Sequence, residues 1–162
     1  MESVKTLRVI NYEVCIGCYT CEEVCAFLHE EPRIKLYEVS GGVRKPISCF
    51  HCYKAPCIFV CPTKAMHKDE SGAVVVDTMR CIGCLACFTA CPFGIPTLSS
   101  SGYATKCDLC SDLRSKGLEP ACVAVCPARA IAWGSPQTVA DAARKRVLEK
   151  LTTRFRALSM GV

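Results

Sequence analysis

All sixteen cysteines of this chain fall into four runs, and their spacing is what could do chemistry. The most regular run is Cys81-x2-Cys84-x2-Cys87-x3-Cys91-Pro92. Three thiolates set two residues apart curl along one loop and suit three irons of a cuboidal [4Fe-4S] cluster. The fourth starts a new backbone direction, because Pro92 cannot continue a helical hydrogen-bond pattern. In two-cluster proteins with this spacing the fourth cysteine ligates the neighbouring cluster. The run therefore asks for partners, and three follow the same logic: Cys15-x2-Cys18-x2-Cys21-x3-Cys25, Cys49-x2-Cys52-x4-Cys57-x3-Cys61-Pro62 and Cys107-x2-Cys110-x11-Cys122-x3-Cys126-Pro127.

Zinc is the main competing metal. It needs four tetrahedral ligands, usually two C-x2-C pairs with a spacer. The triplets Cys15/Cys18/Cys21 and Cys81/Cys84/Cys87 put three thiolates on one loop, which one ion does not require. The second run departs most from the regular spacing and is where zinc or a different group would first be looked for. A disulfide framework would suit an oxidising compartment, but Met1-Glu2-Ser3-Val4-Lys5-Thr6 has neither the basic nor the apolar region of a secretory signal. The expected setting is a reducing cytoplasm, with no transmembrane segment.

The hydrophobic share of 51% overstates the core, since cysteines are counted in it. With much of the interior inorganic, the apoprotein is expected to fold poorly. The formal charge of +5 misleads as well. Four clusters at roughly −2 each would take the holoprotein to about −3, so nucleic acid is not an expected partner.

The elements that must position these runs are short. Leu7–Tyr12 reads as a strand, a helix continues from the first run through Phe27, Leu28 and His29 to a stop near Pro32, and Ile34–Val39 alternates as a strand. Ala65–Lys68 and Ala73–Asp77 flank the turn Asp69-Glu70-Ser71-Gly72. Ser111–Leu118 reads as an exposed turn or short helix, and Ala130–Trp133 as a strand. A shift of 66 lays Ile10, Cys15, Ile16, Gly17, Cys18, Cys21 and Cys25 on Val76, Cys81, Ile82, Gly83, Cys84, Cys87 and Cys91. A shift of 65 lays Cys57, Cys61, Pro62, Lys64 and Ala65 on Cys122, Cys126, Pro127, Arg129 and Ala130. The order is that of a doubled two-cluster unit.

From Ser135 onward the chain changes kind. Ser135 can N-cap a helix with Pro136 at its first position, and no Gly interrupts Gln137–Met160. Val139, Ala143, Val147, Leu151, Phe155 and Leu158 form an apolar stripe, while Arg144, Lys145, Arg146, Lys150, Arg154 and Arg156 carry most of the net charge. This reads as an amphipathic helix that docks on its own body or on a partner. Other residues say less. His51, between Cys49 and Cys52, reads first as an ordinary loop histidine and second as a hydrogen-bond partner of a cluster. Lys64 and Arg129, each shortly after a C-P, read as a solvated face ahead of a role in tuning cluster charge. Trp133 reads as packing, and His29 and His67 carry no signal. No nucleophile–base set or phosphate loop is present, so no catalytic residues and no substrate site are expected.

Four runs in this order, with a widened second and an x11-spaced fourth, resemble the four-cluster ferredoxin-like subunits of multi-subunit oxidoreductases. That group includes iron–sulfur subunits of dimethyl sulfoxide reductase, formate dehydrogenase, carbon monoxide dehydrogenase and tungsten aldehyde oxidoreductase complexes. The likeness spans about residues 8–134. It implies a non-catalytic electron-transfer subunit of α+β class, built as two ferredoxin-like two-cluster modules in pseudo-twofold repeat plus the C-terminal helix. The polyferredoxin domain would be 1–134, with an outer module of 1–45 and 99–134 and an inner module of 46–98. Residues 135–162 would be the docking helix. The resemblance also implies a nested ligand pairing: Cys15, Cys18, Cys21 and Cys126; Cys25, Cys107, Cys110 and Cys122; Cys49, Cys52, Cys57 and Cys91; Cys61, Cys81, Cys84 and Cys87. Spacing alone does not force it. The stretch Cys25-Ala26-Phe27-Leu28-His29-Glu30 leans towards the carbon monoxide dehydrogenase and aldehyde oxidoreductase associates. The implied partners are a tungsten or molybdenum pterin catalytic subunit and a further redox partner such as a flavin subunit or ferredoxin. A freestanding polyferredoxin carrier, or a subunit of a carbon monoxide dehydrogenase, hydrogenase or formate dehydrogenase, stays open as an alternative.

Overall fold

Four two-stranded antiparallel sheets and six α-helices are assembled around the cysteine runs in the computed structural model, which describes residues 7–159. The opening Met1–Thr6 and Met160 lie outside the described residues, as do the side chains of Arg154, Arg156 and Leu158. In chain order the elements are β1 (Leu7–Ile10), α1 (Thr20–His29), β2 (Ile34–Glu38), β3 (Arg44–Ser48), α2 (Pro56–Phe59), β4 (Met66–Lys68), β5 (Val74–Val76), α3 (Ala86–Ala90), β6 (Thr97–Leu98), β7 (Ala104–Thr105), α4 (Ser111–Ser115), α5 (Ala121–Ala124), β8 (Ile131–Gly134) and α6 (Pro136–Ser159). This is a small mixed helix–strand fold of ferredoxin-like character.

Two pairings bring distant runs together. β1 joins β8 with Leu7 opposite Gly134 and Ile10 opposite Ile131, so the segments flanking the first and fourth runs meet. α1 packs against α5 on the same side, and Cys21, Cys25, Ile34, Cys122 and Ile131 are buried together there. The β4–β5 hairpin, with Met66 opposite Val76, joins the second and third runs. α2 packs on α3 around Ala55, Cys57, Met66, Val74, Cys87 and Ala104. Ala73, Cys107 and Leu109, with Cys49 packed on them, form a smaller third group. Much of this interior is sulfur, because strands of two to five residues cannot build a wide apolar face.

Backbone conformation repeats with the motif. The residue before the second cysteine has positive φ in every run: Gly17, His51, Gly83 and Leu109. The left-handed turn reverses the loop so that both thiols face one side. Two of these positions require glycine. A Cβ on Gly83 would stand 2.3 Å from the Gly102 carbonyl oxygen, and one on Gly17 2.8 Å from that of Arg44.

Two short pairings were not evident from the sequence: β3 lies on β2, and β6 with β7 flanks the Ser-rich turn. α6 begins where Ser135 suggests, with its Oγ accepting the Thr138 N–H at 3.1 Å. Val139 is buried against the body, and the Arg146 guanidinium donates to the Arg129 carbonyl at 3.0 Å. Beyond that contact the stripe faces outward, with Val147, Leu151 and Phe155 all exposed.

Candidate iron–sulfur sites

Every cysteine is a free thiol, and the chain folds them into groups. One small cavity is lined by Cys15, Cys18, Cys21 and Cys126. A second is lined by Cys25, Cys107, Cys110 and Cys122, and a third by Cys61, Cys81, Cys84 and Cys87. Around the remaining run, the Cys57 thiol feels the charges of Cys49 and Cys91. The groups also act on one another in succession through charge: Cys21 is influenced by Cys122, Cys49 by Cys107 and Cys57 by Cys87. Cys18 and Cys84, the two exposed cysteines, belong to the groups at either end of that succession.

Backbone amides are aimed at the sulfurs. Arg33 N–H donates to Cys25 Sγ at 3.2 Å, Ala130 N–H to Cys126 at 3.2 Å, Ala104 N–H to Cys81 at 3.3 Å and Met66 N–H to Cys61 at 3.5 Å. Such donors stabilise charge on a ligating thiolate and set its potential. Two hydroxyls do the same at the surface: Thr20 and Thr63 lie 3.3 and 3.7 Å from the sulfurs of Cys18 and Cys61. The Thr20 bonds hold the Cys18 thiol below its ordinary range. At Cys61, burial pushes upward but is outweighed by the Met66 amide and Thr63.

At seven other cysteines burial wins in the iron-free chain. It pushes the Cys21 thiol up to about 12, helped by the charge of Cys122, and those of Cys57 and Cys110 up to about 11. Cys25, Cys49, Cys87 and Cys122 are also raised, chiefly by burial. Thiols crowded into a dry interior cannot ionise together without cationic charge among them. That charge is what iron would bring, so the donor set fits [4Fe-4S] clusters. Buried donors without a protein acceptor, Arg8 Nε and His51 Nε2, fit the same chemistry.

Three residues near the sulfurs escaped the sequence reading. Arg8 reaches in from β1, with Nη1 donating to Cys107 Sγ at 3.4 Å. Lys106 is buried at 5% exposure. The His29 Nε2 lies 3.6 Å from Cys110 Sγ. An arginine inside the otherwise apolar β1, and a lysine abutting a C-x2-C, were the available signals. His51 lies on the cluster side rather than in an ordinary loop: its amide meets Cys49 Sγ at 3.4 Å, and its Nδ1 accepts the Val74 N–H at 3.0 Å. Burial, then Lys106 and Arg8, push its ring down to about 2, so it is neutral. Lys64 and Arg129 are exposed, and Trp133 is half-buried.

Comparison with known proteins agrees with this chemistry. A 4Fe-4S dicluster domain matches residues 43–136, and a 4Fe-4S binding domain matches residues 12–28. The chain is 42% identical over 136 residues to the thiosulfate reductase electron transfer subunit PhsB of Salmonella typhi, covering 74% of this chain and 70% of that one. It is 41% identical over 145 residues to the B subunit of anaerobic dimethyl sulfoxide reductase of Escherichia coli, covering 77% and 71%. With the B subunit of polysulfide reductase of Wolinella succinogenes it shares 35% identity over 157 residues, covering 87% and 82%. This chain belongs to the 4Fe-4S dicluster, ferredoxin-like family of electron-transfer subunits. No helix among the described residues is long and apolar enough to cross a membrane.

Proposed function

We propose that the chain is the electron-transfer subunit of an oxidoreductase complex and carries four [4Fe-4S] clusters in file. The ligand sets are Cys15/Cys18/Cys21/Cys126, Cys25/Cys107/Cys110/Cys122, Cys49/Cys52/Cys57/Cys91 and Cys61/Cys81/Cys84/Cys87. The observation that carries this reading is the succession of four thiol groups with an exposed cysteine at each end. A globule of this length has a radius of gyration of about 15 Å, so an electron crossing it needs intermediate stations. When bound, the clusters supply one-electron steps. The chain's own residues bury the Cys25/Cys107/Cys110/Cys122 set, half-bury the Cys49/Cys52/Cys57/Cys91 set around a buried Cys57, aim amides at sulfur and leave Cys18 and Cys84 open to partners.

The two-cluster modules divide as outer 1–45 with 99–134 and inner 46–98. Helix α6 is the docking element, supported by the unpartnered Val147, Leu151 and Phe155. The catalytic partner is a molybdenum or tungsten pterin enzyme. Cys25–Glu30 favours an aldehyde oxidoreductase type, whereas the named relatives favour a reductase of oxidised sulfur compounds. The second redox partner is a flavin subunit or ferredoxin, and the reducing cytoplasm is the compartment.

Anaerobic analysis should find about sixteen iron and sixteen sulfide per chain; zinc without acid-labile sulfide would sink the reading. Deleting residues 147–162 should leave iron unchanged while the large subunit no longer co-purifies. Recovery of the intact chain only as a lone carrier would overturn the docking role. The metal of the co-purifying large subunit, and its turnover of an aldehyde or a sulfur oxide, separates the two partner types.

A further inference from the structure

Two cations lie against the interior of this small protein without a carboxylate: Lys106 is buried whole, and Arg8 is half-buried with its guanidinium Nε enclosed. Burying a charge is costly unless it is paired and hydrogen-bonded, and among the described residues none of the ion pairs involves Arg8 or Lys106. Both have neutral partners and thiols instead. The Arg8 guanidinium spans from the fourth run to the second. Its Nη1 lies 3.4 Å from Cys107 Sγ and 4.0 Å from Cys122 Sγ, while Nη2 donates to Ser48 Oγ and, at 3.1 Å, to the Cys49 carbonyl. Lys106 Nζ donates to the Val74 carbonyl and, at 3.1 Å, to that of Cys107. Val74 sits in the buried group that holds Cys57.

Both cations lie in the interior half of the file. The thiols at its ends are served by hydroxyls and amides. Lys45 donates to the Tyr12 and Cys15 carbonyls there, but it is half-exposed, where solvent screens its charge, whereas Lys106 is buried. We propose that Arg8 and Lys106 are positioning residues serving as internal counter-cations: Arg8 for the cluster held by Cys25, Cys107, Cys110 and Cys122, Lys106 for the one held by Cys49, Cys52, Cys57 and Cys91. Each favours the reduced, more negative state of its cluster and raises that midpoint potential relative to the same site without the cation. The anionic clusters in turn supply the charge that makes burial of the cations tolerable. This inference rests on the four-cluster filling proposed above. It adds a division of labour: sites at the ends tuned by hydrogen bonds and solvent-screened groups, sites in the middle tuned by enclosed charge.

The test is a redox titration of the purified full-length protein, followed by electron paramagnetic resonance, for wild type, Arg8→Gln and Lys106→Met. Each variant should lower chiefly one midpoint, a different one in each, by at least a tenfold change in the reduction equilibrium, which is 59 mV for one electron. Midpoints unmoved or raised, or the same one lowered in both, would overturn the assignment. If Arg8→Gln assembles fewer clusters, Arg8→Lys decides. Restored iron with midpoints within tenfold of wild type supports a role for the charge, and a lysine variant no better than glutamine refutes it. Iron and sulfide counts on the wild type keep the two readings apart. Low counts defeat the four-cluster filling, whereas full counts with unmoved midpoints defeat only the counter-cations.

Discussion

Gly83→Ala is the sharpest probe of how the third run is held. Gly83 has φ +67°, and a Cβ there would meet the Gly102 carbonyl oxygen at 2.3 Å. Gly102 is its natural control, because it also has positive φ (+82°) but open space where its Cβ would point. The left-handed conformation costs any residue with a Cβ about 1–2 kcal/mol, so Gly102→Ala should lose that and no more. Gly83→Ala must in addition drive the carbonyl back by more than about 1 Å to reach ordinary contact near 3.5 Å. Packing clashes of this kind add about 1–3 kcal/mol, for a total of about 2–5 kcal/mol. The displaced turn also carries the chain to Ala104, whose N–H donates to Cys81 Sγ at 3.3 Å, so the damage should reach the cluster held by Cys81, Cys84, Cys87 and Cys61. At about 2–4 °C per kcal/mol for a domain of this size, the thermal midpoint should fall by about 2–8 °C in Gly102→Ala and about 4–20 °C in Gly83→Ala. Loss of visible cluster absorbance at one fixed scan rate is the suitable signal, since cofactor loss makes unfolding irreversible. Iron per chain should fall by up to about four atoms in Gly83→Ala only. Equal midpoints and equal iron in the two variants would refute the close-approach argument.

Three further outcomes are expected. Cys91→Ala should remove about four iron atoms from the cluster of Cys49, Cys52 and Cys57, detected as loss of one resonance signal; loss confined to the cluster of Cys81, Cys84 and Cys87 would contradict the pairing. Cluster reconstitution of the iron-free chain should weaken steeply as pH falls, because Cys21, Cys57 and Cys110, held up at about 12, 11 and 11 by burial, must release protons to bind iron; iron uptake measured across neutral and mildly alkaline pH checks it. Asp69 is the third case. Burial raises its carboxyl, but bonds from Ser71 and from Arg114 at 2.6 Å hold it net below the ordinary 3.8. Its stabilising contribution is therefore complete above pH 3.8 and is lost as pH falls through the depressed value. Asp69→Asn should cost about 1.5–3 kcal/mol at neutral pH and flatten the acid limb of a stability curve measured by denaturant midpoint.

What could be read in the chain as a sequence was local. The Ile–Gly pairs at 16–17 and 82–83 show as a repeat, but the close approach of the Arg44 and Gly102 carbonyls is what requires their glycines. Cysteine spacing and the prolines after Cys61, Cys91 and Cys126 depend on a few consecutive residues, and each has a steric or metal-ligand reason that survives any tertiary arrangement. Helix α1, the hairpin β4–β5, strand β8 and the cap at Ser135 were legible for the same reason. The grouping of thiols was not. Cys25 comes near Cys107 and Cys122 because β1 pairs with β8 and α1 packs on α5, and pairing over more than a hundred residues leaves no mark in spacing. Family likeness, rather than the residues themselves, supplied that expectation. The buried cations were hidden most deeply. Arg8 looks like one polar residue in a strand and Lys106 like a loop lysine; only the tertiary structure decides that both turn inward, where a low dielectric makes a single charge count.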